Sequence, residues 1–167
     1  MNKLLAGNDI IPDIIKEYSD MLIRIAYQNV KSMHDAEDIV QEVYIKLIKN
    51  IKSIKDEKHL KAWLIRVTIN RCKDYHKSSW IKKIVPIESD ISYNEPEKDE
   101  IMKEILMLKP DYRMVIYLYY YEEYSLAEIA EILGKSINTI STRLRRARSK
   151  LKLFIEKEGE QDGCKRI

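Results

Sequence analysis

The densest chemistry in this chain is positive charge without counter-charge. Between Lys135 and Lys152 stand seven basic residues and no acid: Lys135, Arg143, Arg145, Arg146, Arg148, Lys150 and Lys152. Cations in such a run displace counterions from a phosphate backbone, which yields affinity without reading sequence. Base edges are read instead by amides, hydroxyls and guanidinium forks, and Asn138, Ser141, Thr142 and Arg145 supply these along the same stretch. A solvated cationic face on an ordinary helix has the same composition, so the flanking residues must decide between the two.

Those flanks are specific. Ser125 followed by Glu128 is a capping box that opens a short helix. Ala127, Ile129, Ala130 and Leu133 are spaced to pack inward. Gly134 can take the left-handed conformation that ends a helix, and Ser136 can cap the next one. Two helices joined by a short Gly-containing turn form a helix-turn-helix. In the second helix Ile140, Leu144, Ala147 and Leu151 make a buried seam. Asn138, Ser141, Thr142 and Arg145 then lie away from the seam near the N-terminus, where a recognition helix contacts bases.

The N-terminal half holds two further clusters. Asp38, Gln41, Glu42 and Lys49 share one helical face with Ile45 in their midst. A lone exposed apolar residue is common, and it can equally anchor a protein contact with a polar rim. Arg66, Asn70, Lys73 and Lys77 gather on one side of a later helix, after the polar loop Ser53–His59 with Lys55, Lys58 and His59. A basic loop beside a basic helix suits single-stranded or distorted nucleic acid, and a solvated face explains the same residues. Cys72 and His76 stand four apart, but two ligands do not make a zinc site, and His34 and His59 have no periodic reason to join them. Tyr117, Tyr119, Tyr120, Tyr121 and Tyr124 lie beside the helix-turn-helix at core spacing. With no Gly-rich phosphate loop and no nucleophile–base set, neither an enzyme, a metal, a cofactor nor a small-molecule substrate is expected.

The elements positioning these groups are all helical. Four Gly and four Pro in 167 residues leave little material for tight turns. Ile11, Ile14, Ile15, Tyr18, Met21, Leu22, Ile25 and Ala26 form one stripe. A second helix starts near His34 and Asp35 and uses Ala36, Ile39, Val40, Val43, Leu47, Ile48 and Ile51. A third runs from about Lys58 to Lys77 on Leu60, Trp63, Leu64, Val67 and Tyr75. Pro86, Pro96 and a cluster of acids then break the periodicity. The expected division is a helical domain over 1–79, a flexible linker over 80–98, a helix-turn-helix domain over 99–158 and a frayed tail over 159–167. The first residues lack a secretory pattern, no stretch reaches membrane-span length, and Cys72 and Cys164 form no disulfide-like pattern. A reduced cytoplasmic setting is expected.

Taken together, these stretches resemble the sigma-70 family, and within it the short extracytoplasmic-function (ECF) sigma factors. DAEDIVQEVYIKL, Asp35 to Leu47, is similar to the family's polymerase-binding helix. AWLIRVTINRCKDYHK, Ala62 to Lys77, resembles its promoter-melting helix, with Trp63, Asn70 and Asp74 in register. Leu108 to Lys152 resembles its fourth region. The resemblance implies an all-α chain of two small domains, a region 2-like bundle and a region 4-like helix-turn-helix. It implies that Asp35, Asp38, Gln41, Glu42, Ile45 and Lys49 dock on core RNA polymerase. It further implies that Lys55, Lys58, His59, Arg66, Asn70, Lys73, Asp74 and Lys77 serve the −10 element. For the −35 element it implies Asn138, Thr139, Ser141, Thr142, Arg143, Arg145, Arg146 and Arg148. Promoter DNA and core polymerase are the implied partners, together with an anti-sigma factor, often one held at the membrane. Where relatives commonly carry Gly-Thr-Val, then Lys or Arg, then Ser-Arg, this chain has Asn138 to Arg143, and Ser141 removes one charge. A stand-alone helix-turn-helix regulator, a dimer whose N-terminal helices sense or dimerise, is the rival reading; a sensor predicts an N-terminal pocket rather than the Asp35–Leu47 surface.

Overall fold

The computed structural model of the chain describes residues 10–81 and 101–164. Among these residues every regular element is a helix: α1 (Ile11–Val30), α2 (Met33–Asn50), α3 (Glu57–Ile81), α4 (Met102–Met107), α5 (Pro110–Tyr120), α6 (Leu126–Leu133) and α7 (Ile137–Cys164). The chain divides into two compact units, Met1–Tyr93 and Asn94–Ile167. Residues 82–98 of the expected linker lie outside the described residues, whereas Trp80 and Ile81 belong to α3.

The first unit packs α1, α2 and α3 around a core that includes Leu22, Ala26, Ala36, Val43, Leu47, Leu60 and Leu64. Burying each large aliphatic side chain contributes about 1.5–3 kcal/mol. Lys31 turns α1 into α2 in the left-handed conformation, its N–H donating to the Tyr27 carbonyl. Ser32 caps α2 by accepting from the Asp35 N–H. Two expected stripe residues differ: Ile15 and Ile48 are 39% and 44% exposed. Each sits at the edge of its stripe, where a single neighbouring helix does not reach. α3 is buried more widely than its one stripe predicts, since Ile65, Thr68 and Ile69 are also buried. Thr68 satisfies its hydroxyl on the Leu64 carbonyl. Cys72 is buried too, and burial pushes its thiol up to about 12.

That thiol carries a prediction. Its folded pKa lies above the ordinary value of 9.0, so the unfolded state releases its proton first as pH rises. Stability is therefore retained below about pH 9 and declines between pH 9 and 12. Denaturant titrations across this range should show the decline, and Cys72→Ala should flatten it. Iodoacetamide at pH 8 should leave Cys72 unmodified in the native protein and alkylate it readily in denaturant, read by peptide mass.

The second unit is arranged around α5. Six consecutive residues, Arg113 to Leu118, are buried, as befits a helix covered on all sides. Pro110 fills the first turn of α5, where its missing N–H is not needed. The residue before it, Lys109, is forced to extended backbone, which separates α4 from α5. Arg113 spans that joint, donating from Nη2 to the Leu108 carbonyl at 3.1 Å, and burial lowers its pKa. Tyr117 and Tyr124 are buried as expected, but Tyr120 is 52% exposed. α7 continues to Cys164, so residues 159–164 of the tail expected to fray are helical. Two glycines and an aspartate make that stretch a weak helix former, and its extension rests on the small cost of adding residues to an existing helix.

α6 and α7 form the helix-turn-helix. The Ser125–Glu128 capping box is complete: Ser125 N–H donates to Glu128 Oε2 at 2.9 Å and Glu128 N–H to Ser125 Oγ at 3.3 Å. Ile129, Ala130 and Ile132 bury the inner face, whereas Ala127 is exposed and Leu133 only half-buried. Gly134 closes α6 at φ +63°, and the Lys135 N–H reaches back to the Ala130 carbonyl at 2.9 Å. No heavy atom lies within 4 Å of a Cβ added there, so Gly134→Ala meets only the left-handed backbone penalty. We expect a cost of about 1–2 kcal/mol, or roughly 4–8 °C in Tm per kcal/mol. Gly134→Asn should lose less. Thermal unfolding followed by circular dichroism checks both.

Candidate polymerase and nucleic-acid interfaces

On α2, the residues Asp38, Gln41, Glu42, Ile45 and Lys49 are all exposed on the side away from the core. Ile45 is 55% exposed, and Ile48 one turn on enlarges the apolar spot that the sequence reduces to one residue. Asp35 is placed differently: half-buried, it accepts the Tyr75 hydroxyl at 2.8 Å and ties α2 to α3. Burial and that bond push Tyr75 up to about 12. Glu42 receives Arg71 of α3, and the same guanidinium lies 3.8 Å from Asp74. Arg71 thus joins the α2 face to the α3 face. Its position three residues before Asp74 is the one signal for it in the sequence.

The α3 face is assembled as the spacing predicts. Arg66, Asn70, Lys73, Asp74 and Lys77 are all exposed. The loop before α3 is held by two bonds: His59 N–H donates to Asp56 Oδ1 at 2.7 Å, and the Lys55 N–H donates to His59 Nδ1 at 3.2 Å. His59 is therefore half-buried and orients the loop, while Lys55 and Lys58 are exposed. Cys72 and His76 do not converge: Cys72 is in the core, and His76 Nε2 lies 2.9 Å from the Asn29 carbonyl. His34, Asp35 and Asp38 bring ligand atoms within 4.8 Å of one another. His34 lies 3.3 Å from Asp38, and Asp35 is taken by Tyr75, so protein groups engage all three.

On α7 the seam is as expected, with Ile140, Leu144, Ala147 and Leu151 buried. Opposite it, Asn138, Ser141, Arg145 and Arg146 are exposed and Thr142 is half-buried. Thr139 also takes part in the cap, its N–H donating to Ser136 Oγ at 3.2 Å. Arg143 and Arg148 stand on opposite shoulders of the helix, and both are held to α5. Arg143 pairs with Asp111 at 2.6 Å. Arg148 donates from Nε to the Tyr120 hydroxyl at 2.7 Å and lies over the Tyr119 and Tyr120 rings. An open cleft runs beside the recognition face, where Lys109, just before α5, and Tyr112 of α5 join Asn138, Thr142 and Arg146. Lys109 and Tyr112 carry no periodic signal and emerge only from the packing of α5 on α7.

Fold and surface together define a helical protein of two units, the second built on a helix-turn-helix with a cationic outer face. The family pattern for Sigma-70 region 2 matches residues 14–81, and that for Sigma-70, region 4 matches residues 98–151. The ECF RNA polymerase sigma factor SigW of Bacillus subtilis is 31% identical, over 86% of this chain and 88% of that protein. The RNA polymerase sigma factor SigV of the same organism is 28% identical, over 95% and 98%. The sigma factor RpoE of Bartonella quintana, solved in complex with the anti-sigma factor NepR, superposes with a TM-score of 0.72 at 26% identity, over 86% of this chain and 97% of that one. This chain belongs to the sigma-70 family and, within it, to the ECF RNA polymerase sigma factors. Its function is transcription initiation.

Proposed function

We propose that the chain divides this work among three surfaces. The α2 face of Asp38, Gln41, Glu42, Ile45 and Lys49, with Asp35 bracing it from within, docks on core RNA polymerase. The loop and helix face of Lys55, Lys58, His59, Arg66, Asn70, Lys73, Asp74 and Lys77 binds the −10 element and holds the open strand. The α7 face of Asn138, Ser141, Thr142, Arg145 and Arg146 enters the major groove at the −35 element. In this scheme residues 1–79 form the polymerase-binding and −10 domain, 80–98 the linker, 99–158 the −35 domain and 159–167 the tail. The chain contributes binding energy and promoter choice, and the chemistry of RNA synthesis stays with the polymerase.

The observation that carries this reading is the exposed Ile45–Ile48 spot within a charged face, on a chain that also presents a cationic recognition helix. The solved relative bound to an anti-sigma factor supports a similar partner here, one that covers the polymerase and DNA faces. Among the described residues no helix is long and apolar enough to cross a membrane, and we place the protein in the cytoplasm, with any membrane attachment supplied by that partner. The test is run-off transcription with purified core polymerase and a pool of promoter DNA. Defined transcripts that require this chain support the reading. DNA binding without polymerase recruitment would favour a stand-alone regulator.

A further inference from the structure

We infer that Asp111 is a specificity-determining positioning residue: it withholds Arg143 from the DNA backbone, so that the recognition face is weighted towards base-reading groups. This rests on the reading of α7 as the helix that enters the groove. Asp111 stands in the first turn of α5, and its Oδ2 lies 2.6 Å from Arg143 Nη2. The pair stands at the cleft that Asn138, Thr142 and Arg146 also line. Arg143 keeps 21% of its side chain exposed and Asp111 keeps 62%. The carboxylate end of the pair is open to water, which screens its contribution to folding, and its consequence lies in where it puts charge.

Two effects follow from that placement. Arg143 is neutralised and drawn towards α5, which leaves Arg145 and Arg146 as the outward arginines of this face, with Lys109 across the cleft. The carboxylate also sets a negative charge beside the path of a phosphate, which penalises a duplex seated too deep on that side. Both effects lower affinity that is blind to sequence, while the Asn138 and Thr142 contacts that discriminate bases are left in place. Discrimination between sites is a difference of affinities, and a built-in repulsive element raises it.

The test uses the full chain and a fluorescein-labelled duplex of random sequence, with anisotropy titrations over a series of salt concentrations. In Asp111→Asn, Arg143 is released to a phosphate. The slope of log K against log salt should steepen by about 0.9, with several-fold tighter binding at low salt. Asp111→Glu should keep the wild-type slope, and Asp111→Asn combined with Arg143→Gln should return to it. Sequencing the bound fraction of a randomised pool should show weaker base preference for Asp111→Asn alone. Circular dichroism checks folding, and Asp111→Ser repeats the test if the amide disturbs the first turn of α5. An unchanged slope in Asp111→Asn would overturn the proposal. So would an equal steepening in the Arg143→Gln background, which would make repulsion by the carboxylate the whole effect and leave Arg143 no part in it. If wild-type binding shows no salt dependence, or is indifferent to loss of Arg145 and Arg146, the groove reading itself fails and the proposal with it.

Discussion

Ile45→Glu should abolish polymerase-dependent transcription while leaving the protein folded. Ile45 is 55% exposed in the isolated chain, so the substitution has little to disturb; exposed changes of this kind stay within about 0.5 kcal/mol. In the docked state the same position becomes the apolar centre of a contact rimmed by Asp38, Gln41, Glu42 and Lys49. Truncating such an anchor costs about 2 kcal/mol or more, and burying an unpaired carboxylate in its place costs about 3–5 kcal/mol. Affinity for core polymerase should therefore fall at least a hundredfold, and run-off product should vanish at concentrations that saturate the wild type. Ile45→Ala should show an intermediate loss, since it removes the anchor without adding charge. Titration of labelled protein with core polymerase gives the affinities, and an unchanged melting temperature separates binding from folding. Full activity of Ile45→Glu would remove α2 from the polymerase contact.

The second large effect belongs to α7. Replacing Arg145 and Arg146 together by Ala should flatten the salt dependence of DNA binding by nearly two units, at about 0.9 per phosphate released. If either residue reaches a base, the loss is about 1–3 kcal/mol for that contact. Arg148→Ala should behave differently. Its guanidinium is engaged by the Tyr120 hydroxyl and the Tyr119 and Tyr120 rings, so the change should loosen the packing of α7 on α5 and lower stability more than it flattens the salt slope. A flattening of about 0.9 in Arg148→Ala, half that of the Arg145, Arg146 double variant, would show that charge alone, irrespective of its place on the helix, governs binding.

Much of this was legible before any coordinates, and the reason is range. The capping box at Ser125 and Glu128, the left-handed Gly134, the Ser136 cap and the seam of Ile140, Leu144, Ala147 and Leu151 all depend on residues within a few positions of one another. Helical spacing alone therefore specifies the helix-turn-helix and its outward face, and the same holds for Arg66, Asn70, Lys73 and Lys77 on α3. The edges of each stripe were less legible. Ile15 and Ile48 fit the apolar pattern yet are exposed, because a stripe says which side faces a neighbour but not how far the neighbour extends. Ile65, Thr68 and Ile69 err in the opposite sense, since α3 is covered over more of its circumference than one stripe implies.

Local propensity and a fixed helical period set the helices, the turn chemistry that joins α6 to α7, and the faces that carry charge. Which of those charges remain available is settled by packing between helices. Asp35 is turned to Tyr75, Glu42 to Arg71, Arg143 to Asp111 and Arg148 to Tyr120, and every one of these partners stands on another helix. Such pairs form only when packing brings distant residues within hydrogen-bond reach. Of the seven cations in the run, four are arginines, and packing leaves Arg145 and Arg146 outward while Arg143 and Arg148 are held to α5; Lys135, Lys150 and Lys152 are exposed as well.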